Sequence, residues 1–342
     1  MALPTATPSR VVEEQIPSPV AEEQIPSPTP TVVVPTATPT KEVAATTSPG
    51  VSTEGKIAFA PFPESIIYTM NADGSNLQRL TTGLDPDWNP TGDRLAFVDW
   101  HETNGVYLIN ADGSGRVRIH DWPLIKEPDW SPDGNQIVVS VQKGGPLKVY
   151  EKCFFGRFCF EFDPDPKWRL RVIKLDSSQI NESAHFDQSL GPIWISNQEI
   201  LFTGDGRLHI DNPFNNETAR RINDRGPFVD PRYCALTSKI AATYHQHDHW
   251  EVHSLHNEGM SVQRLTGSDS VLSEPTGNNI AGTWSPDCLH FVFFSDRDGR
   301  WRPYIMNADG SNKQLFLPEV FDQFTFDFDY GFNNNKLIDW VQ

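Results

Sequence analysis

The segment Tyr68-Thr69-Met70-Asn71-Ala72-Asp73-Gly74-Ser75 decides the fold, because it returns twice: as Tyr107-Leu108-Ile109-Asn110-Ala111-Asp112-Gly113-Ser114 and as Tyr304-Ile305-Met306-Asn307-Ala308-Asp309-Gly310-Ser311. A second signature, Pro128-Asp129-Trp130-Ser131-Pro132-Asp133-Gly134, is echoed by Pro86-Asp87-Trp88-Asn89-Pro90-Thr91-Gly92 and by Thr283-Trp284-Ser285-Pro286-Asp287-Cys288. Seven residues after each of these tryptophans comes an apolar position: Leu95, Ile137 and Phe291. Looser copies keep that spacing, from Trp194 to Leu201, Tyr233 to Ile240 and Tyr330 to Leu337.

Both signatures have the chemistry of tight turns. Aspartate bonds to nearby backbone, and glycine takes the positive φ that closes a hairpin. Short alternating segments such as Ile57-Ala58-Phe59 and Leu95-Ala96-Phe97-Val98 flank them, which fits strands and not helices. Each unit therefore reads as four antiparallel strands joined by tight turns, repeated about every 40–45 residues, the pattern of a β-propeller blade. The anchors Trp88, Trp130, Trp194, Tyr233, Trp284 and Tyr330 lie 42, 64, 39, 51 and 46 residues apart, so the third unit carries a large insertion.

These turns resemble the WD-like repeats of the TolB-like family of bacterial propellers. The resemblance runs from about Lys56 to the C-terminus and is weakest over 135–260. It implies six four-stranded blades, with Phe324–Tyr330 supplying the innermost strand of the first. Seven blades are the alternative, which would need strands from a proline-rich tract that disfavours them.

That tract is residues 1–55. It holds 10 of the 28 prolines, 10 threonines and none of the aromatic residues, and it repeats Glu-Glu-Gln-Ile-Pro-Ser-Pro from Glu13 and again from Glu22. Without aromatics it cannot bury enough apolar surface to offset its ordering entropy, so it is expected as a disordered Pro/Thr-rich linker ahead of a propeller at 56–342. The full chain has 342 residues and a formal charge of −17, of which −4 falls in the linker. Polyanions and anionic lipid surfaces select positive patches, so the charge argues against nucleic acid or an anionic lipid surface as the main partner. No apolar run approaches the ~18 residues of a membrane helix. A stalk of this kind commonly separates a secreted or lipid-anchored domain from a membrane or wall. With the family resemblance, it implies an extracytoplasmic, monomeric protein whose lipid anchor would lie outside this sequence.

Blade geometry puts both signature turns on one face and the variable loops on the other, where binding usually resides. The insertion at about 142–170 contains Cys153-Phe154-Phe155-Gly156-Arg157-Phe158-Cys159. Cys153 and Cys159 are expected to form a local disulfide in an exported protein, whereas spacing leaves open whether Cys234 and Cys288 meet. Trp122, Phe154, Phe155, Phe158, Arg225 and Arg297 are the binding candidates on the loop face. His245, His247 and His249 alternate on one loop, with His101, His120 and His185 in others predicted on that face. Converging imidazoles suit a transition metal, and a family of pectin-fragment lyases on a similar propeller uses a histidine-bound metal. Asp296-Arg297-Asp298-Gly299 resembles the opening of a calcium loop but lacks its later ligands. No nucleophile elbow, dinucleotide fingerprint or phosphate loop is present.

Two functions follow as expectations. The first is a non-enzymatic binding or scaffold module that presents propeller loops to a protein or glycan partner in the cell envelope, with no catalytic residue and no cofactor. The second is a metal-dependent enzyme, lyase-like on acidic saccharides, using the histidine cluster.

Overall fold

The computed structural model describes residues 54–342, apart from 101–103, 123, 144–149, 155–157, 163–166, 178, 184–187, 216, 225, 247, 260, 268–276 and 329–335. Within it, six four-stranded antiparallel sheets succeed one another as the blades of a β-propeller. Among the described residues the one helical turn is Pro318–Phe321. The second blade shows the pattern: Leu84–Trp88 is innermost, followed outward by Arg94–Asp99, Gly105–Asn110 and Val117–His120. The other inner strands are Ile125–Trp130, Ser189–Trp194, Phe228–Cys234, Asn279–Trp284 and Ile338–Val341. Apolar side chains of the middle strands fill the space between blades, with Phe59, Phe97, Phe202, Phe291 and Phe293 fully buried.

The repeated turns owe their shape to the residues that identified them. In each Asn-Ala-Asp-Gly-Ser copy the aspartate accepts from the serine amide and hydroxyl, as Asp73 does from Ser75 at 2.9 and 2.6 Å. Gly74, Gly113 and Gly310 all sit at φ 84–85°, a conformation that other residues reach only with strain.

Ring closure corrects one expectation. Phe324–Tyr330 is not the inner strand of the first blade; Ile338–Val341 is, pairing with Lys56–Phe59 so that Trp340 lies opposite Ile57. Trp88 opposite Leu95, Trp130 opposite Ile137 and Trp284 opposite Phe291 repeat that register. Trp340 is thus the sixth aromatic anchor, in the role the sequence spacing gave to Tyr330, and the propeller closes at six blades. The Phe-x-Phe alternation of 324–328 imitates a strand, but its rings are spent on packing: Phe326 and Phe328 lie 5.1 and 5.4 Å from Phe294.

In the third blade, the chain between the second and third strands, Gln136–Lys143 and Lys167–Lys174, which pair directly, forms a separate hairpin of Tyr150–Phe154 with Phe158–Phe162. Its register sets Cys153 opposite Cys159. The side chains of Cys153, Phe154, Phe158 and Cys159, and the residues Phe155 and Arg225, lie outside the described part of the structure, as do the 1–53 tract, His101 and His185.

Candidate functional site

The inner strands carry a sequence signal finer than the turn signature. Asp85-Pro86-Asp87-Trp88, Glu127-Pro128-Asp129-Trp130, Gly191-Pro192-Ile193-Trp194 and Asp230-Pro231-Arg232-Tyr233 superpose by register, and Leu337-Ile338-Asp339-Trp340 completes the series. Proline has no amide proton for the ladder, so each of these four inner strands bulges there, with Asp85, Glu127, Gly191 and Asp230 at φ 50–59°. The bulge turns acidic side chains toward the propeller axis.

Those carboxylates tie blade to blade. Asp339 accepts from the Trp88 amide at 2.8 Å, Asp87 from Trp130 at 2.7 Å and Asp129 from Trp194 at 2.7 Å. A second tier lies one bulge away, where Asp85 accepts from the amides of Glu127 and Lys336 at 3.0 Å and Glu127 from Gly191 at 2.7 Å. The Lys336 ammonium sits between Asp87 and Asp129, bonded to the first and 3.0 Å from the second, with all three side chains buried. Burial would lower its pKa, yet the surrounding Asp87, Asp129 and Asp339 hold it far above the ordinary lysine value. Burial likewise raises the Asp87 and Asp129 carboxyls, with Lys336 opposing the rise. Where the acidic series ends, other bonds take over. Arg232 donates to the Gly282 carbonyl at 2.7 Å, and a Cys234–Cys288 disulfide joins the first turns of the fifth and sixth blades.

Burial, and next to it the Asp85 charge, push Glu127 up to about 8 from an ordinary 4.5. Below about pH 4.5 it is protonated in both folded and unfolded chains; above that the unfolded chain ionises first. Stability therefore falls as pH rises through the window up to about 8. Glu127→Gln keeps an oxygen for the Gly191 amide and removes the titration. Its melting temperature is expected to change less than that of the parent between about pH 5 and pH 8; equal slopes would assign the pH dependence elsewhere.

Above the acidic floor the inner strands end in a ring of aromatic residues, one per blade: Trp88, Trp130, Trp194, Tyr233, Trp284 and Trp340. They line an open funnel of about 380 Å³ whose deeper wall includes Asp87, Asp129, Arg232, Lys336 and Asp339. Trp284 donates its indole N–H to the Arg232 carbonyl and Trp340 to Glu54. The indole N–H groups of Trp88, Trp130 and Trp194 are buried without a partner. Leu236, on the lip beside Cys234, is 73% exposed, and Leu289, next to Cys288, is 62% exposed.

This funnel opens on the signature-turn face, opposite the loops that the sequence reading singled out. On that other face Trp122 is sandwiched between His120, at 3.4 Å, and the Arg171 guanidinium, at 4.6 Å. Arg297 lies over Tyr304 and Phe293 and donates to Asn279 at 2.8 Å, so its groups are engaged within its own blade. His249 turns its two nitrogens to Asp248 and Glu251, at 2.7 and 3.1 Å, and His245 packs on Trp250; His247 lies outside the described residues. Among the described residues no group of three or more histidine, cysteine, aspartate or glutamate side chains is arranged to hold a metal ion. The signal for the funnel was present as the residue before each anchor tryptophan, but a repeat pattern does not state which side of a strand meets the axis.

No family model matches the chain. Over 63 residues, 18% of this chain and 10% of the relative, it is 36% identical to the uncharacterized peptidase YuxL of Bacillus subtilis. Over 82 residues, 22% of this chain and 19% of the relative, it is 29% identical to the Tol-Pal system protein TolB of Alcanivorax borkumensis. TolB of Acinetobacter baumannii superposes with a TM-score of 0.64 at 16% identity, over 84% of this chain and 66% of that one. The fold is a TolB-like β-propeller. The same architecture recurs in hydrazine synthase of Kuenenia stuttgartiensis, with a TM-score of 0.60, 15% identity and coverage of 84% of this chain and 47% of that one. It recurs in a chain of a nidogen/laminin complex, with a TM-score of 0.56, 11% identity and coverage of 79% and 95%. The aligned stretches thus span a tenth to a fifth of the two relatives matched by sequence, and the chain about two thirds of the matched TolB structure.

Proposed function

We propose that the chain is a non-enzymatic binding module that offers its aromatic funnel to a protein partner outside the cytoplasm. The observation that carries this reading is a preformed cavity of about 380 Å³ on one face, framed by one aromatic residue from each blade and edged by the exposed Leu236. The five tryptophans are themselves only 4–6% exposed, so a partner would find its apolar contact in the cavity they frame and on the exposed Leu236 and Leu289 beside it. The bonds between inner strands keep the ring rigid, so little ordering entropy is lost on binding. Propellers serve enzymes and adaptors alike, so fold alone does not choose. The choice of a protein partner is supported by the likeness to a Tol-Pal system protein and to a nidogen/laminin complex chain. The Cys234–Cys288 disulfide supports an oxidising compartment. No helix among the described residues is long and apolar enough to cross a membrane.

A photo-crosslinking amino acid at Leu236, on the funnel lip, tests the reading against the same group at Phe62, which is exposed on a loop of the opposite face. In an envelope extract of the source organism, discrete crosslinked protein is expected from Leu236 and not from Phe62. Crosslinks from Phe62 alone, or none from either position, would remove the funnel as the docking site.

A further inference from the structure

The chemistry of the repeated turns has a consequence for the kind of partner that fits. In a blade, the turn after the innermost strand and the turn after the third strand point to the same face, the first close to the axis and the second farther out. The inner turns, two of which line the funnel through Pro90 and Pro286, carry Asp93, Asp133, Glu199 and Asp287, and the outer turns add Asp73, Asp112 and Asp309. The aspartates among them follow from the fold, because each uses its carboxylate to hold its turn. Asp133 accepts from the Ser131 hydroxyl at 2.6 Å and the Asn135 amide at 3.1 Å, and Asp93 from Thr91 and Asn89 at 2.6 Å. Such bonds keep them ionised. The Thr91 hydroxyl holds Asp93 below the usual carboxylate range, and the Ser114 and Ser311 hydroxyls do the same for Asp112 and Asp309. In Asp133, burial pushes upward and the Ser131 and Asn135 bonds outweigh it.

Inside this acidic surround stand two large exposed aliphatic side chains. Cys234 and Cys288 have Cα atoms 6.0 Å apart, so the disulfide fastens the turns bearing Leu236 and Leu289 side by side. Leu236 is also part of the funnel wall. Lys56, bonded to the Gly92 carbonyl, and Lys239, close enough to act on Asp309, interrupt the acids, so the surround is predominantly and not uniformly negative. An apolar pair beside a cavity in such a surround asks for an apolar side chain carried on a positive segment.

We propose that the docking segment of the partner protein is a lysine- or arginine-bearing stretch with an apolar residue at its centre, the apolar residue entering the funnel against Leu236 and the basic residues facing Asp93, Asp133, Glu199 and Asp287. This rests on the funnel being the docking site and adds the charge of what docks. The formal −13 of the propeller works in the same direction, steering a cationic segment toward the disc and repelling an anionic one.

The test uses two fluorescent peptides with one leucine- and tryptophan-containing centre, flanked by lysines in the first and by glutamates in the second. Anisotropy with the full chain is expected to show the lysine peptide binding at least about tenfold tighter at low ionic strength. The preference should shrink as salt is raised from about 0.05 to 0.5 M. Asp93→Asn, Asp133→Asn and Asp287→Asn combined, which leave an oxygen for each turn bond, should weaken the lysine peptide several-fold. Glu199→Gln, whose exposed side chain closes no turn, should act in the same direction with an unchanged melting temperature. Leu236→Ser with Leu289→Ser should weaken both peptides alike. Equal binding of the two peptides, tighter binding of the glutamate peptide, or no binding of either at about 1 mM would overturn the proposal. Crosslinking from Leu236 in those cases would leave the funnel as the docking site for a partner of other chemistry.

Discussion

Lys336→Met is expected to lower the unfolding free energy by about 3–5 kcal/mol, the usual cost of removing one member of a buried ion pair. Lys336, Asp87 and Asp129 are each at least nine-tenths buried, and their side chains meet on the propeller axis. Without the ammonium, two carboxylates face one another in a medium that solvates them poorly, and Asp339 adds to the repulsion. They must then take up protons or draw in water. The loss should therefore be largest at neutral pH and smaller in acid, where the carboxyls are protonated. Asp87→Asn and Asp129→Asn keep an oxygen for the Trp130 and Trp194 amides while removing the charge. Adding both to Lys336→Met should recover a large part of the loss, since a neutral polar site is then left in place of an unbalanced one. Urea unfolding of the four chains measures the cycle. A cost below about 1 kcal/mol for Lys336→Met would mean that the axis is wetter than its burial indicates.

Joint replacement of Cys234 and Cys288 by alanine is the second large effect. The bond spans 54 residues, and a crosslink of that length restricts the unfolded chain by about 4 kcal/mol in the loop-entropy account. Measured effects typically fall at or below that figure, so a loss of about 2–4 kcal/mol is expected. The bond closes the fifth blade onto the sixth, outside the Asp339, Asp87 and Asp129 staples that serve the first four blades. Unfolding of the variant should accordingly begin at the fifth and sixth blades. Hydrogen exchange would report this as faster amide exchange in Phe228–Cys234 and Asn279–Trp284 than in Leu84–Trp88. Uniform loss of protection in all inner strands would show that the ring opens as one unit. The leucines at the lip are held by the same bond, so the variant should also bind its partner more weakly at temperatures where it is fully folded.

The two effects have one structural origin. A closed ring is stabilised where its inner strands are tied together, and this chain uses acidic staples over part of the circle and covalent and guanidinium links over the rest. Deepest in the channel, Lys126 lies 5.5 and 5.6 Å from the ring centres of Trp100 and Trp168, offsetting the charge of Asp85, Glu127 and Asp230. Polar groups so thoroughly enclosed are costly unless paired, which explains why single changes on the axis should outweigh changes at the lip.

The repeated Asn-Ala-Asp-Gly-Ser and Trp-Ser-Pro-Asp-Gly turns made the four-stranded blades legible in the sequence, because each turn is decided by a few consecutive residues: an aspartate that bonds two positions on and a glycine at positive φ. The same local chemistry made the acidity of one face legible once its turns were recognised. Closure was beyond it. Phe324–Tyr330 and Ile338–Val341 both look like strands, and the ring selects the one whose Asp339-Trp340 pair can staple Trp88 and oppose Ile57. Nor could the sequence place the cavity on the signature-turn face, or join Cys234 to Cys288. Lys336 reaches Asp87 and Asp129 across separations of 249 and 207 residues, and no local pattern encodes contacts of that range. They exist because six blades around one axis bring the ends of every inner strand within a side chain's length of each other, and only the closed tertiary structure creates that axis.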